Sequence, residues 1–409
     1  MEYQIRTATA ADLDPYIHQM SLGFHFDPST DAEVIASRQR LFDHDNNIVA
    51  VDGETIVATA GNFKQVMRVN GGDAGCAGLT QVTVRASHRR KGVLTAMMRK
   101  HLDMAHERGD ELASLWASES IIYGRFGYGL ATDGVDFTID RRNVALKDEA
   151  AGAAVCRFVE TEDVVARWPA IWDAVRQDSP GMPSRSADWW EHRIAKDPPW
   201  QRDGFTGARW VACEEAGQLT GYLIFRAKHE QDRYGLPKGA ARVDELMSTT
   251  ADAYKALWQF AFSVDLIETV TARTRRTDEP LRWMLQDPRR LQRTPGDALW
   301  VRLVDLPRAL AARRYSEEDD LVLDVRDPFC PWNEDRWLLS GGPLGAVVSP
   351  TTQAAHVSLE ADALAAAYLG GVSFETLQRA GRVHGEPRAI RRLDAMFRWH
   401  RAPWCPEHF

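Results

Sequence analysis

Apolar residues in the first third of the chain fall into short runs broken by turn residues. Residues 48–51 and 55–60 flank Asp52-Gly53, a dipeptide that supplies the positive φ of a tight turn, so the spacing predicts a β-hairpin. Residues 79–84 read as a further strand that runs into a basic turn over 85–92. Beyond Gly92 the period changes from two to three and four: Leu94, Met97, Met98, His101, Leu102 and Ala105 line one helical face, and Gly109 closes it. A strand over 111–117, a short turn-helix over 118–125 and a strand from about Asp133 follow.

The middle of the chain repeats this order. Residues 210–213 and 221–227 mirror the hairpin, 243–247 the next strand, 253–264 the helix and 269–273 the strand after it. Such self-similarity at long period predicts an internal duplication. The copies differ in chemistry, for Arg89-Arg90-Lys91-Gly92 is replaced by Thr249-Thr250-Ala251-Asp252, which has neither the charge nor the glycine. From about Leu299 the character changes to a mixture of strands and helices, ending on a helix over 387–399 and the tail Ala402 to Phe409. Boundaries near 148 and 297 divide the chain into segments 1–148, 149–297 and 298–409.

Composition narrows the class. The 409 residues are 44% hydrophobic and 26% charged, ordinary globular usage that excludes fibrous and disordered chains. A net charge of −8 argues against a nucleic-acid partner and, weakly, for cationic ligands. No apolar run is long enough to span a membrane, and the start has no secretory pattern, so the cytoplasm is expected. Cys76, Cys156, Cys213, Cys330 and Cys405 are odd in number, scattered and without a CxxC, which fits a reducing compartment and no zinc ribbon. His101 and His106 are five apart and share no helix face, so no metal site is expected.

The window 79–129 concentrates the chemistry. Val82-Thr83-Val84 leads into Arg89, Arg90, Lys91 and Gly92, and then Val93 and Leu94 open the helix. Backbone N–H groups of such a turn, together with the positive end of a helix, form an anion site suited to a pyrophosphate, and the three basic side chains add charge. About thirty residues later stands Tyr123-Gly124-Arg125-Phe126-Gly127-Tyr128. This order resembles the GNAT acetyltransferases, whose (Q/R)-x-x-G-x-(G/A) turn binds the pyrophosphate of acetyl-CoA; Leu94 departs from the last position of that pattern. Over the full length, the HRRKG turn, the SESIIYGRFGYG segment, a degenerate second copy, a third α+β domain and a terminal phenylalanine resemble the Eis (enhanced intracellular survival) family of N-acetyltransferases.

That resemblance implies an α/β (α+β) protein: tandem GNAT folds, the second degenerate, and a C-terminal domain like sterol carrier proteins. It implies acetyl-CoA as co-substrate with no metal, a hexamer built as a dimer of trimers, and polyamine acceptors such as aminoglycosides. On the GNAT pattern Val82 and Val84 pair with the pantetheine amides, with the Val82 N–H directed at the thioester carbonyl. Tyr123 becomes the general acid for the departing sulfur, since a phenol with a pKa near ~10 lies close to an alkyl thiol. Ser118 and Glu119 line the cofactor channel, although Glu119 reads equally as a surface residue. Eis-like proteins imply the terminal carboxylate, here on Phe409, as general base, its pKa raised by burial. Phe24, Phe26 and Asp27 are candidates for the acceptor pocket or, equally, for packing between two helices. Two rival readings stand beside this one: a protein-lysine or N-terminal acetyltransferase, and a lipid or sterol carrier with inert GNAT domains.

Overall fold

The computed structural model describes residues 3–147 and 152–409. The first sheet begins with β1 (Gln4–Thr7), β2 (Ile48–Asp52), β3 (Thr55–Val69), β4 (Gly72–Val84), β5 (Leu112–Trp116) and the two-residue β6 (Gly129–Leu130). Helices α1 (Leu13–Phe24) and α2 (Ala32–Leu41) precede β2, and α3 (Val93–Arg108) joins β4 to β5. On β2, Ile48 and Ala50 face the core beneath α3, where Met97, Met98 and Leu102 are buried. Val49 and Val51 face Tyr16 and Met20 of α1 on the other side. A strand covered on both faces needs no polar alternation, which is why this stretch is apolar throughout.

The second sheet contains β7 (Asp133–Asp140), β8 (Val155–Phe158), β9 (Arg209–Glu215), β10 (Gln218–Lys228), β11 (Gly239–Ser248), β12 (Ile267–Arg275) and β13 (Gln292–Asp297). It repeats the hairpin, strand, helix and strand order, with α4 (Thr161–Arg176) and the helix Ala251–Ser263 packed on it. The two sheets exchange strands. The strand from Asp133, read in sequence as the close of the first repeat, is β7 and pairs with β12 and β13 of the second sheet. In return β14 (Leu299–Leu303) enters the first sheet between β5 and β6. Chain order and hydrogen-bonding order therefore part on either side of the divisions near 148 and 297, because periodicity reports which face a strand buries and not which edge it joins. Position 148 itself lies outside the described residues.

The third sheet is β15 (Asp319–Arg326), β16 (Asp335–Gly342), β17 (Gly345–Pro350), β18 (Val357–Glu360) and β19 (Val383–Gly385), in the order β17-β16-β15-β18-β19. Its core is continuous with the outer half of the first sheet. Met67, Val69, Ala74, Cys76 and Leu112 share one buried cluster with Leu321, Leu339, Leu364, Leu393 and Phe409. Two apolar faces thus exclude water from each other, and the terminal residue belongs to that shared core.

Candidate active site

β4 and β5 run parallel from Cys76↔Leu112 to Leu79↔Leu115, and there the pairing stops. β4 continues through Val84 with its β5-facing edge outside that ladder. On its other edge, Thr80 pairs with Gly61 and Thr83 with Thr59, so Gln81 and Val82 bulge opposite Ala60. Gln81 carries the extra backbone at φ 54°, and its side chain accepts from the Tyr16 hydroxyl at 3.0 Å. Thr59 holds the bulge, its hydroxyl bonding Gln81 O at 2.8 Å and meeting the Thr83 hydroxyl at 2.7 Å. A bulge re-aims the strand at the point where it leaves its neighbour. The sequence reading named Val82 and Val84 here; Gln81, Thr59 and Thr83 were missed, since nothing in their residue types marks a bulge.

The basic turn ends with Arg90 at φ 62° and Gly92 at φ 81°, both left-handed, before α3 starts at Val93. Left-handed residues in a turn are the kind that gather backbone N–H groups into an anion-binding concavity, and at this helix start Gly92 offers no side-chain cap. A Cβ on Gly92 would meet only the Tyr3 hydroxyl, at 3.6 Å, so glycine stands here for its conformation and not for lack of space. Arg89 and Arg90 are exposed, with Arg89 Nε donating to Val84 O at 3.3 Å. Lys91 is also exposed but bends back to Ser87 O at 2.7 Å, bracing the turn. Val93 is buried in the core below, with Leu94 packed beside it. In the second copy the Thr250 hydroxyl accepts from Ala253 N at 3.1 Å, and Asp252 adds negative charge to the same helical turn. That helix start is closed by its own side chain.

Tyr123 stands at the start of a short 3-10 turn, and its carbonyl accepts from Phe126 N at 3.0 Å and Tyr128 N at 3.4 Å. Gly127 is required by close approach, as a Cβ there would lie within 2.4 Å of Arg302 Nη1. Arg302, on β14, is buried in an ion pair with Asp327 at 2.6 Å, so a strand and a loop from the far end of the chain buttress the tyrosine turn. The Tyr123 ring packs edge-on to Tyr128 at 6.1 Å, and Tyr128 bonds His101 at 2.9 Å. Burial, and secondarily the charge of Glu119, push the Tyr123 phenol up to about 12. Ser118 and Glu119 are exposed on the turn before it.

The tail reaches this region from behind. Trp404 N donates to Pro180 O at 2.7 Å and Trp404 Nε1 to Thr274 O at 2.7 Å. Trp116 Nε1, at the end of β5, donates to Glu407 O at 2.8 Å, and the His408 ring lies 4.9 Å from that indole. The Phe409 ring, 7% exposed, sits edge-on to Phe63 at 6.4 Å. Phe63 stands opposite Gly78, and Gly78 opposite Ser114, one residue before β4 and β5 diverge. The terminal ring therefore packs on β3, opposite the last paired stretch of β4 and β5. Burial, with Arg193 adding to it, pulls the His408 imidazole below its ordinary value.

The C-terminal end of α1 crosses β4 within the diverging stretch: a Cβ on Gly23 would lie 2.5 Å from Thr83 Cγ2. Phe24 and Asp27 are exposed beside it. Phe26 is half-buried beneath the Arg38 guanidinium at 5.7 Å, and Arg38 also covers Trp200 at 5.0 Å. An aromatic surface expected to be free for a cation thus already faces one.

The comparisons with known proteins agree with this geometry. Residues 4–131 and 181–303 each match the description "Acetyltransferase (GNAT) domain", and residues 306–406 match "Sterol carrier protein domain". A Streptomyces avermitilis protein described as an uncharacterized N-acetyltransferase is 40% identical over 91% of each chain. N-acetyltransferase Eis of Mycobacterium tuberculosis is 35% identical over 78% of this chain and 77% of its own. The crystal structure of Eis1 from Mycobacterium abscessus superposes with a TM-score of 0.84 at 28% identity, covering 99% of this chain and 100% of that one. GNAT acetyltransferases use acetyl-CoA. The chain is an acetyl-transferring enzyme and belongs to the Eis family of GNAT N-acetyltransferases, with tandem GNAT domains followed by a sterol-carrier-like domain.

Proposed function

We propose that the acceptors are amino groups of polyamine-type small molecules such as aminoglycosides, that Tyr123 is the acid and the Phe409 carboxylate the base, and that the enzyme works as a hexamer of two trimers. The observations that support this most are that Tyr123 packs in one cluster with Val82 and Val84, where β4 has left β5, and that the Phe409 ring lies against Phe63, opposite the last paired stretch of β4 and β5. Acetyl-CoA, when bound, supplies an acetyl group activated as a thioester. The residues around it have three tasks. Arg89, Arg90 and the N–H groups from Gly92 to Leu94 hold phosphate oxygens, Lys91 stiffening the turn. Val82 and Val84 offer backbone groups along the open edge, the Val82 N–H facing the acyl oxygen, while Ser118 and Glu119 flank the channel. The Phe409 carboxylate accepts the proton an attacking ammonium must lose. The Tyr123 hydroxyl then donates at the position of the leaving sulfur. With its pKa near 12 rather than ~10, it acts first as a hydrogen-bond donor and completes proton transfer late.

Phe24 and Asp27 remain the acceptor-facing candidates beside the opening, with Phe26 shared with Arg38. The carrier alternative has no support from the surface depression of ≈ 330 Å³ on the third domain, which is lined by Asp324, Arg326, Ser358, Leu359, Glu360, Gly381, Arg382 and His384. Three experiments test the proposal. Acetyl-CoA consumption is measured with a panel of polyamines and aminoglycosides and with a lysine peptide; faster turnover of the peptide would overturn the substrate reading. A chain lacking Phe409, a chain extended by three residues and His408→Gln are then compared. The first two should lose about 10²-fold or more in kcat while binding acetyl-CoA normally, and His408→Gln should keep most activity. Full activity in the extended chain removes the terminal carboxylate from the mechanism. Sedimentation velocity tests the hexamer.

A further inference from the structure

The last three residues are gripped by groups the acetyl-transfer chemistry does not use. Arg185 is at the centre, its side chain 2% exposed. Its Nε donates to Glu407 Oε2 at 2.5 Å, and Nη1 and Nη2 donate to the Glu245 carboxylate at 3.1 and 2.5 Å. The guanidinium lies 3.4 Å from the Trp172 ring centroid and 4.8 Å from that of Trp190. Glu245 in turn accepts from the Tyr222 hydroxyl at 2.5 Å, and Tyr222 stacks on Trp168 at 4.2 Å. Arg193 Nη2 donates to His408 O at 2.8 Å. One arginine therefore meets two glutamates, where an unmatched charge would be costly, and the second holds a backbone carbonyl.

All these holding groups, Glu407 excepted, lie in the second GNAT-like domain. The segment before Arg185 is tied to the first sheet: Arg68 N donates to Met182 O at 2.9 Å, Gly181 N to Arg68 O at 2.8 Å and Ser184 N to Val66 O at 2.8 Å. It pairs antiparallel with the end of β3, the strand that carries Phe63, and so ties Arg185 to the sheet on which the terminal ring packs. Glu407 is thus held twice, by its carbonyl on Trp116 of the first domain and by its carboxylate on Arg185 of the second. With His408 O also bonded, the freedom left to the terminal carboxylate is rotation about the bonds of Phe409 itself.

We propose that Arg185 and Glu407 are positioning residues and that the degenerate second GNAT copy serves to set the chain terminus at the catalytic opening of the first. The inference of a holding role stands on contacts; its catalytic meaning rests on the reading of Phe409 as base. An interior ion pair costs desolvation that a well-packed apolar pair would not, so stability alone does not account for this one. The fork of arginine supplies geometry, because it addresses two carboxylates in fixed directions, which a lysine ammonium does not.

The test needs no acceptor amine. Carboxypeptidase A releases a C-terminal phenylalanine only when the tail can leave its seat. On full-length protein, free phenylalanine should appear at least tenfold faster from Glu407→Ala and Arg185→Lys than from the unaltered chain. Glu407→Gln, which keeps an acceptor for Arg185 Nε, should fall between them. Acetyl-CoA affinity by calorimetry should stay within twofold in each, which also shows that the first domain is folded; if an Ala or Lys variant does not fold, Glu407→Gln decides alone. Release at the unaltered rate from folded variants overturns the positioning role. Turnover of the fastest amine separates the two ideas. If Glu407→Ala and the chain lacking Phe409 both lose kcat, positioning and base readings stand together. If the chain lacking Phe409 is fully active while release is accelerated in Glu407→Ala, the base reading falls and the holding role survives.

Discussion

Replacing Gly92 by alanine isolates the backbone term of acetyl-CoA binding. The residue sits at φ 81° and ψ −2°, and an added methyl would find only the Tyr3 hydroxyl at 3.6 Å. Steric exclusion therefore contributes nothing, and the cost is conformational: an L-residue in the left-handed region pays about 1–2 kcal/mol relative to its preferred backbone. Before ligand arrives, the alanine turn relaxes toward negative φ, and the N–H groups of the turn lose their common aim. Binding must restore the left-handed form, so the apparent Kd rises by the inverse of the competent fraction, about 5- to 30-fold. Calorimetric titration with acetyl-CoA measures this directly. Gly217→Ala is the matched control, since Gly217 has φ 79° and nothing within 4 Å of its added carbon, but belongs to the second copy. Its acetyl-CoA affinity should be unchanged. An unaltered Kd for Gly92→Ala, or an equal weakening in both variants, would refute the reasoning.

Other consequences are equally direct. Tyr123→Phe should lower kcat by about 10²-fold with acetyl-CoA affinity intact. Because the phenol is pushed up to about 12, its protonated, donating form persists to high pH, so the kcat profile should show no Tyr123-dependent fall below about pH 11; a fall near pH 10 would contradict this. Arg89→Ala with Arg90→Ala should raise the KM for acetyl-CoA, each lost charged bond being worth roughly 1.5–3 kcal/mol. Thr250→Ala should leave that KM alone while costing about 1 kcal/mol through its lost helix cap, read by urea unfolding of the second domain. His101 is buried against Tyr128, and burial holds its imidazole down at about 3. The unfolded chain takes up that proton first, so this contribution is complete above pH 6.5 and is lost as pH falls from there toward 3. It amounts to about 2 kcal/mol by pH 5. Urea unfolding at pH 7 and pH 5 should show a smaller acid loss in His101→Gln; equal losses would show that His101 is not the titrating group.

The sequence by itself determined the local pieces. Asp52-Gly53 turns, the three-and-four spacing from Leu94 to Ala105 buries one helical face, and Arg89 to Gly92 forms a basic turn before that helix. The same local logic gave Tyr123 its turn and gave the second copy its loss of charge. Partners across the fold were decided by tertiary structure. The exchange of β7 for β14 was illegible because both strands have the apolar pattern either sheet would accept, and only edge geometry and the two-residue length of β6 select between them. Gln81 showed no signal, since a bulge is set by the register of two strands and not by the residue that occupies it. Arg38 covering Phe26 altered the expected acceptor wall through a contact made with Trp200, far away in the chain. Arg185 and Glu407 are 222 positions apart, and a buried charge reveals its role only when its counter-charge is in place.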